Sequence, residues 1–393
     1  MFWSLMGQGL NFAAMLLPVV LKSGDQLAFL MLPLSTAALL RVALSAAFHV
    51  RYLTVPTEER RIALGVASVG LTSFCALAIA AAGGVAYFNS GVGLVIFSIA
   101  ILTYSIGFYF VAVTILIAEK NLRDYGRGRL IFGIVNFGST LAAIWAFDFI
   151  FGLVVASAVT NLLLAVWMTA KSSVGPGEVL FRSWRCGASA EGLRYLVSSR
   201  SVIASTLIAD LGFQIQGLLT PLMADYKELW AIVVRLSGGF GTLGQQILAP
   251  TFEMHATDSI RNGAREKAQS WARRAQAGGV AFGLIVAALL AIALVFLYPE
   301  LVEGKTWLVW VCAAYCWLLL ASSLTMKIPY ILGQDRSMLI WSLLRLVLSI
   351  PLFLLHGSAL LIVLVAIQGL ISAYLVFITL KRPVLKLHNA EPA

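Results

Sequence analysis

Residues 26–50 read QLAFLMLPLSTAALLRVALSAAFHV, and the one formal charge in that run is Arg41. A helix needs about 20 mostly apolar residues to cross a hydrocarbon core, and this run meets that length with a cation inside it. The pattern recurs along the chain. Arg235, Lys327 and Arg345 each stand inside a further apolar run, whereas Asp210 is the one clear acid at comparable depth. A cation at mid-membrane costs about 3 kcal/mol on insertion scales, so such residues line a wet cavity or meet a partner. An excess of cations over acids inside the membrane points to an anionic cargo.

The chain has 393 residues, 60% hydrophobic and 12% charged, with a mean hydropathy of +0.91. A soluble domain carries about 25% charged residues. The expected fold class is therefore an all-α polytopic membrane protein. Twelve transmembrane helices are expected at 2–21, 26–50, 62–87, 92–118, 130–147, 149–170, 201–223, 229–250, 277–298, 306–333, 337–355 and 358–380, with a tight turn around Asp148 and Gly152. Residues 2–21 are too long for a signal h-region and show no small-residue cleavage site, so they read as the first span.

Charge placement tests that count. With both termini in the cytoplasm, 21 Lys and Arg fall on the cytoplasmic side, including the C-terminal tail, and 3 on the other. That is a strong positive-inside bias, and losing one helix would scatter it. The net charge of +10 does not imply a nucleic-acid partner, because the charges recur in loops between apolar runs.

Two inner loops are longer than the rest. Residues 171–200, with Gly175-Pro176-Gly177 and a basic stretch from Arg182 to Arg200, read as a cytoplasmic linker. They divide the chain into a six-helix lobe at 1–170 and a second at 201–393 with a short C-terminal tail. Residues 251–276 set Arg261, Arg265, Lys267, Arg273 and Arg274 beside Ile260, Ala264, Ala268 and Trp271. That spacing fits a surface helix on anionic headgroups and a solvated helical extension equally well. The outer loops are too short for a folded domain.

Catalytic and cofactor chemistry finds no foothold. Gly239-Phe240-Gly241-Thr242-Leu243-Gly244 matches G-x-G-x-x-G, but a dinucleotide fingerprint needs a preceding strand, and this match lies inside an apolar helix. Gly238, Gly241 and Gly244 read instead as sites of close helix approach or local unwinding. No P-loop is present, so the chain has no ATP motor of its own, and no cofactor is expected. Cys312 and Cys316 lie one turn apart without a His or acid beside them, which suits packing better than a metal. An enzyme is not expected.

At about 1.5 Å per residue, the four cations spread across the membrane rather than stacking at one level. Arg235 and Arg345 read as cavity cations. Arg41 fits a cavity or an inward snorkel equally, and Lys327, beside a kink at Pro329, suits snorkelling better. Asp210 reads as a structural partner for an arginine or as an ion-coupling site. Asn11, Asn136, Asn161, Gln214, Gln245 and Gln246 are further polar groups, open to cavity lining or helix–helix bonding.

A family resemblance follows from particular residues. The opening Phe2-Trp3-Ser4-Leu5-Met6-Gly7-Gln8-Gly9 resembles the start of Wzx-type polysaccharide flippases, in the multidrug/oligosaccharidyl-lipid/polysaccharide exporter (MOP) superfamily. Residues 219–256 resemble their Arg-bearing, Gly-rich region ending in Gln-x-x-x-x-Pro-x-Phe, here Gln245 to Phe252. Gly333-Gln334-Asp335-Arg336 resembles their short turn before helix 11. Relatives usually carry a basic segment before the first helix, whereas this chain starts at the motif, so orientation rests on the later loops.

The resemblance implies two six-helix lobes around a central cavity, the arrangement of multidrug and toxic compound extruders (MATE). It implies transfer of an undecaprenyl-pyrophosphate-linked oligosaccharide across a bacterial inner membrane by alternating access. Arg41 and Arg235 match, by helix position, where related flippases carry essential arginines. Implied partners are the lipid-linked oligosaccharide, membrane lipids, and a polymerase and glycosyltransferases. A multidrug or organic-cation exporter of the same superfamily is the alternative, and it wants buried carboxylates of which only Asp210 is a candidate.

Overall fold

Apolar runs of membrane length must satisfy their backbone internally, and helices do so within one segment. A computed structural model describes residues 2–146, 149–179 and 183–380, and among these every regular element is helical. The turn at Asp148, Arg182 and the C-terminal tail lie outside the described residues. By contacts the chain divides into two units, Met1–Pro221 and Leu222–Ala393. The boundary expected from the linker falls earlier, at 171–200. Residues 190–218 are one helix that packs on the first unit's second helix.

Unit 1 contains α1 (Phe2–Val20), α2 (Gly24–Leu44), α3 (Phe48–Thr54), α4 (Arg60–Phe88), α5 (Ser90–Ala118), α6 (Leu122–Ala146), α7 (Gly152–Ala170), α8 (Trp184–Gly187) and α9 (Ala190–Leu218). Helix α1 lies against α6 through backbone contact: a Cβ on Gly7 would overlap the Arg129 carbonyl, and one on Gly133 would overlap the Gly7 carbonyl. In lipid, where no hydrophobic force separates helix from tail, such close approach is what holds helices together. Helix α5 runs through the unit's core, and its buried Ser98, Thr103 and Thr114 hydroxyls donate to carbonyls four residues back. Each hydroxyl is thus satisfied without water. Helix α2 ends after Arg41 at Ala46 and Ala47, whose φ angles of 52° and 51° lie in the left-handed region. An L-residue holds that conformation at a cost of about 1 kcal/mol, and both alanines are fully buried.

Unit 2 contains α10 (Lys227–Leu243), a π-turn at Gly244–Leu248, α11 (Ala249–Arg261), α12 (Arg265–Leu297), α13 (Pro299–Val302), α14 (Thr306–Ala321), α15 (Ile328–Ile331), α16 (Asp335–Ser349) and α17 (Gly357–Leu380). Gly279 and Gly283 let α12 meet the Ala321 and Trp317 backbone of α14. The chain unwinds between α14 and α15, one step before Pro329, where a kink is expected.

Nine described helical stretches are long and apolar enough to span, two of them, Thr306–Ile331 and Arg336–Leu354, only by including the turns that follow α14 and α16. Residues 190–243 pass only as a bent pair, and within α1 the stretch Met6–Val20 counts as a shorter apolar helix. Where described, the expected stretches are helical, and three of the twelve are not counted among the nine. Helices also outrun their apolar runs. Helices α6, α9 and α12 begin at Leu122, Ala190 and Arg265, because hydropathy marks the lipid-facing length and not the helix end.

The 251–276 segment corrects the surface-helix reading. Residues 265–276 are the first turns of α12 itself. Ala268, Ala272 and Ala275 are fully buried against Ile328 and Leu332, with Phe252 and Ile260 packed beside them. The apolar face closes an internal core, while Arg265, Lys267, Arg273 and Arg274 remain exposed.

Candidate functional site

In unit 1 the polar centre is built on α2, α5 and α9. Arg41 stands in the last turn of α2, where the helix dipole favours a cation. One Arg41 Nη lies 3.7 Å from an Asp210 carboxylate oxygen, with side-chain exposures of 13% and 30%. The face of the guanidinium covers the Phe110 ring, Cζ to centroid 3.7 Å. His49 meets the same ring edge-on at 6.4 Å. Gln214, half-buried, follows Asp210 by one turn of α9, the spacing that puts two side chains on one helix face. Asp210 thus faces an arginine, and Arg41 points to a partner rather than to lipid.

Asn11 and Asn136 pair with each other across α1 and α6, Nδ2 to Oδ1 2.6 Å. Asn161 donates to its own helix at the Ser157 carbonyl. Both arrangements are the bonding between and within helices that polar groups adopt in lipid.

Unit 2 holds its cations differently. Arg235, eight residues into α10, is half-buried with its Nε buried and without a hydrogen bond. Among the described residues no carboxylate pairs with it. Arg345 on α16 is only 5% exposed. Its guanidinium lies 5.5 Å from the Trp341 ring centroid, and the fully buried Tyr315 is an electrostatic neighbour. Tyr315 in turn meets Trp230 edge-on at 4.7 Å. Lys327, at the break before α15, is 68% exposed and pairs with Glu253 at 3.5 Å. Gln245, in the π-turn, points its Nε2 at the Met326 sulfur, 3.0 Å away. Gly244 opens that turn, so the glycine run marks a local unwinding and not a nucleotide loop.

Phe110, Glu253 and Tyr315 were not legible as site residues. Each belongs to an apolar or amphipathic helix with nothing local to single it out, and only the long-range packing makes it a neighbour of a cation.

No family model and no curated protein matches the chain. Solved structures match in fold. A multidrug resistance MATE family transporter of the MOP superfamily, in an inward-facing conformation, aligns with a TM-score of 0.59 at 15% identity, over 95% of this chain and 92% of that one. The lipid II flippase MurJ, inward closed, aligns with a TM-score of 0.57 at 14% identity, over 96% and 86%. A MATE structure in complex with MaL6 gives 0.52 at 14%, over 94% and 93%. The chain has the all-α fold of these transporters along nearly its whole length. At such identity the likeness is one of fold, and fold does not carry substrate.

Proposed function

We propose that this protein is a flippase for a lipid-linked oligosaccharide of the undecaprenyl-pyrophosphate class. The observation that carries the reading is Arg235: a half-buried guanidinium in an apolar helix that no carboxylate of the described residues neutralises. A protein retains such a charge where something anionic visits it. Arg41 and Arg345 extend the cationic character into both units, and Lys327, Asn11, Asn136, Gln214 and Gln245 contribute secondary polar contacts. Alternating exposure of these groups to the two leaflets moves the diphosphate, while the lipid tail stays in the bilayer. The membrane is the bacterial inner membrane, both termini are cytoplasmic, and two six-helix lobes are the moving parts. The glycan comes from glycosyltransferases and passes to a polymerase.

The exporter alternative needs a carboxylate open to an organic cation. Asp210 is engaged by Arg41, which weakens that reading, and drug-resistance assays separate the two.

The test is glycan delivery in a deletion strain complemented with Arg235→Ala or Arg345→Ala, after membrane abundance is checked by immunoblot. Loss of surface polysaccharide from Arg235→Ala is expected. Unchanged polysaccharide from both variants would sink the assignment.

A further inference from the structure

We propose that Asp210 is the resting counter-ion of Arg41 and that a phosphate-bearing headgroup takes its place. Unit 1 then admits an anion by exchange rather than by entry into a vacant cationic site. Three observations carry this.

The pair is single and long. One Nη stands 3.7 Å from one carboxylate oxygen, beyond ordinary hydrogen-bond distance. Among the described residues the Arg41 guanidinium makes no hydrogen bond, and its Nε is buried without a partner. A guanidinium has five N–H donors, so nearly all of this donor set is left unused by the protein.

The guanidinium is also held independently of the carboxylate. Phe110 lies under its face at 3.7 Å, and stacking of this kind keeps an arginine in place while its edge changes partner. Finally, Asp210 is the more exposed member, at 30% against 13%. The side-chain amide of Gln214, one turn further along α9, makes no hydrogen bond among the described residues, so it is open to an incoming acceptor.

A diphosphate brings more acceptor oxygens and more charge than one carboxylate, and it can hold the planar fork through two parallel bonds. Exchange keeps the guanidinium compensated throughout, as a low-dielectric interior requires. The inference rests on the flippase reading for the identity of the headgroup, and the exchange can be tested apart from it.

The experiment uses the full chain in nanodiscs. The probes are inorganic pyrophosphate, and undecaprenyl pyrophosphate placed in the bilayer, with binding read by native mass spectrometry. Asp210→Asn removes the competitor and should tighten binding about tenfold. Asp210→Glu, which keeps the charge, should bind no better than the unaltered protein. Arg41→Gln should lose binding, and adding Asp210→Asn to it should restore nothing. Asp210→Ser serves as a second neutral variant should the Asn form fail to accumulate. Tightening with the lipid probe alone assigns a lipid headgroup, and tightening with both assigns diphosphate itself. Unchanged or weaker binding in the neutral variants overturns the exchange. If Arg41→Gln still abolishes polysaccharide delivery in that case, the flippase reading survives and only the exchange falls.

Discussion

Arg41 and Arg235 are the same residue in similar settings, each within an apolar helix, yet unit 1 gives its arginine a carboxylate and an aromatic face while the described residues of unit 2 give theirs neither. The difference separates two uses of a buried cation. A compensated charge helps to hold helices in register, and removing it exposes its partner. An uncompensated one contributes little to the fold and persists for what it meets. Arg345 falls between them, almost wholly buried but lodged among Trp341 and Tyr315.

The comparison is most directly broken at Arg235. Arg235→Ala should abolish most glycan delivery while leaving thermal stability in detergent within about 0.5 kcal/mol, since no partner is orphaned. A variant that unfolds instead would show that Arg235 is a structural residue. Arg345→Ala should, unlike Arg235→Ala, also destabilise, by about 3 kcal/mol, because it opens a buried space and strands polar neighbours. Detergent-phase unfolding measured by tryptophan fluorescence reads that loss. Arg41→Ala should cost about 1 kcal/mol, a smaller amount because Asp210 is exposed enough to rehydrate once unpaired. If the loss matches that of Arg345→Ala, the Arg41–Asp210 pair is a structural lock and the contrast between units disappears. Lys327→Ala should shift the same melting curve by less than about 0.5 kcal/mol. Its ion pair with Glu253 is exposed on the lysine side, and raised salt should erase even that.

Local pattern explains how much of this was readable in advance. The run around Arg41, with its length and its lone cation, announces a spanning helix because lipid allows so few alternatives. Charge bias in the loops adds order without any structure. The glycine run at 239–244 was separable from a nucleotide loop for the same reason, since its neighbours are helical and apolar. The 251–276 segment stayed open between a surface helix and a helical extension because the alternation that suits a membrane surface also suits a core, and residues 265–276 prove to be the extension of α12. Here α15 supplied the facing surface through Ile328 and Leu332. Helix boundaries failed where polar turns prolong α6, α9 and α12, since hydropathy is silent about helix that lies beyond the lipid.

Sequence by itself determined that the chain is a helical membrane protein, roughly where its spans lie, and which cations stand inside them. Each of those follows from short-range chemistry: the length of an apolar run and the cost of a charge within it. Tertiary structure alone decided that Arg41 meets Asp210 and Phe110 while Arg235 meets no acid among the described residues. Those neighbours come from helices far apart in the chain, and a guanidinium's partner is set by which helix faces pack together.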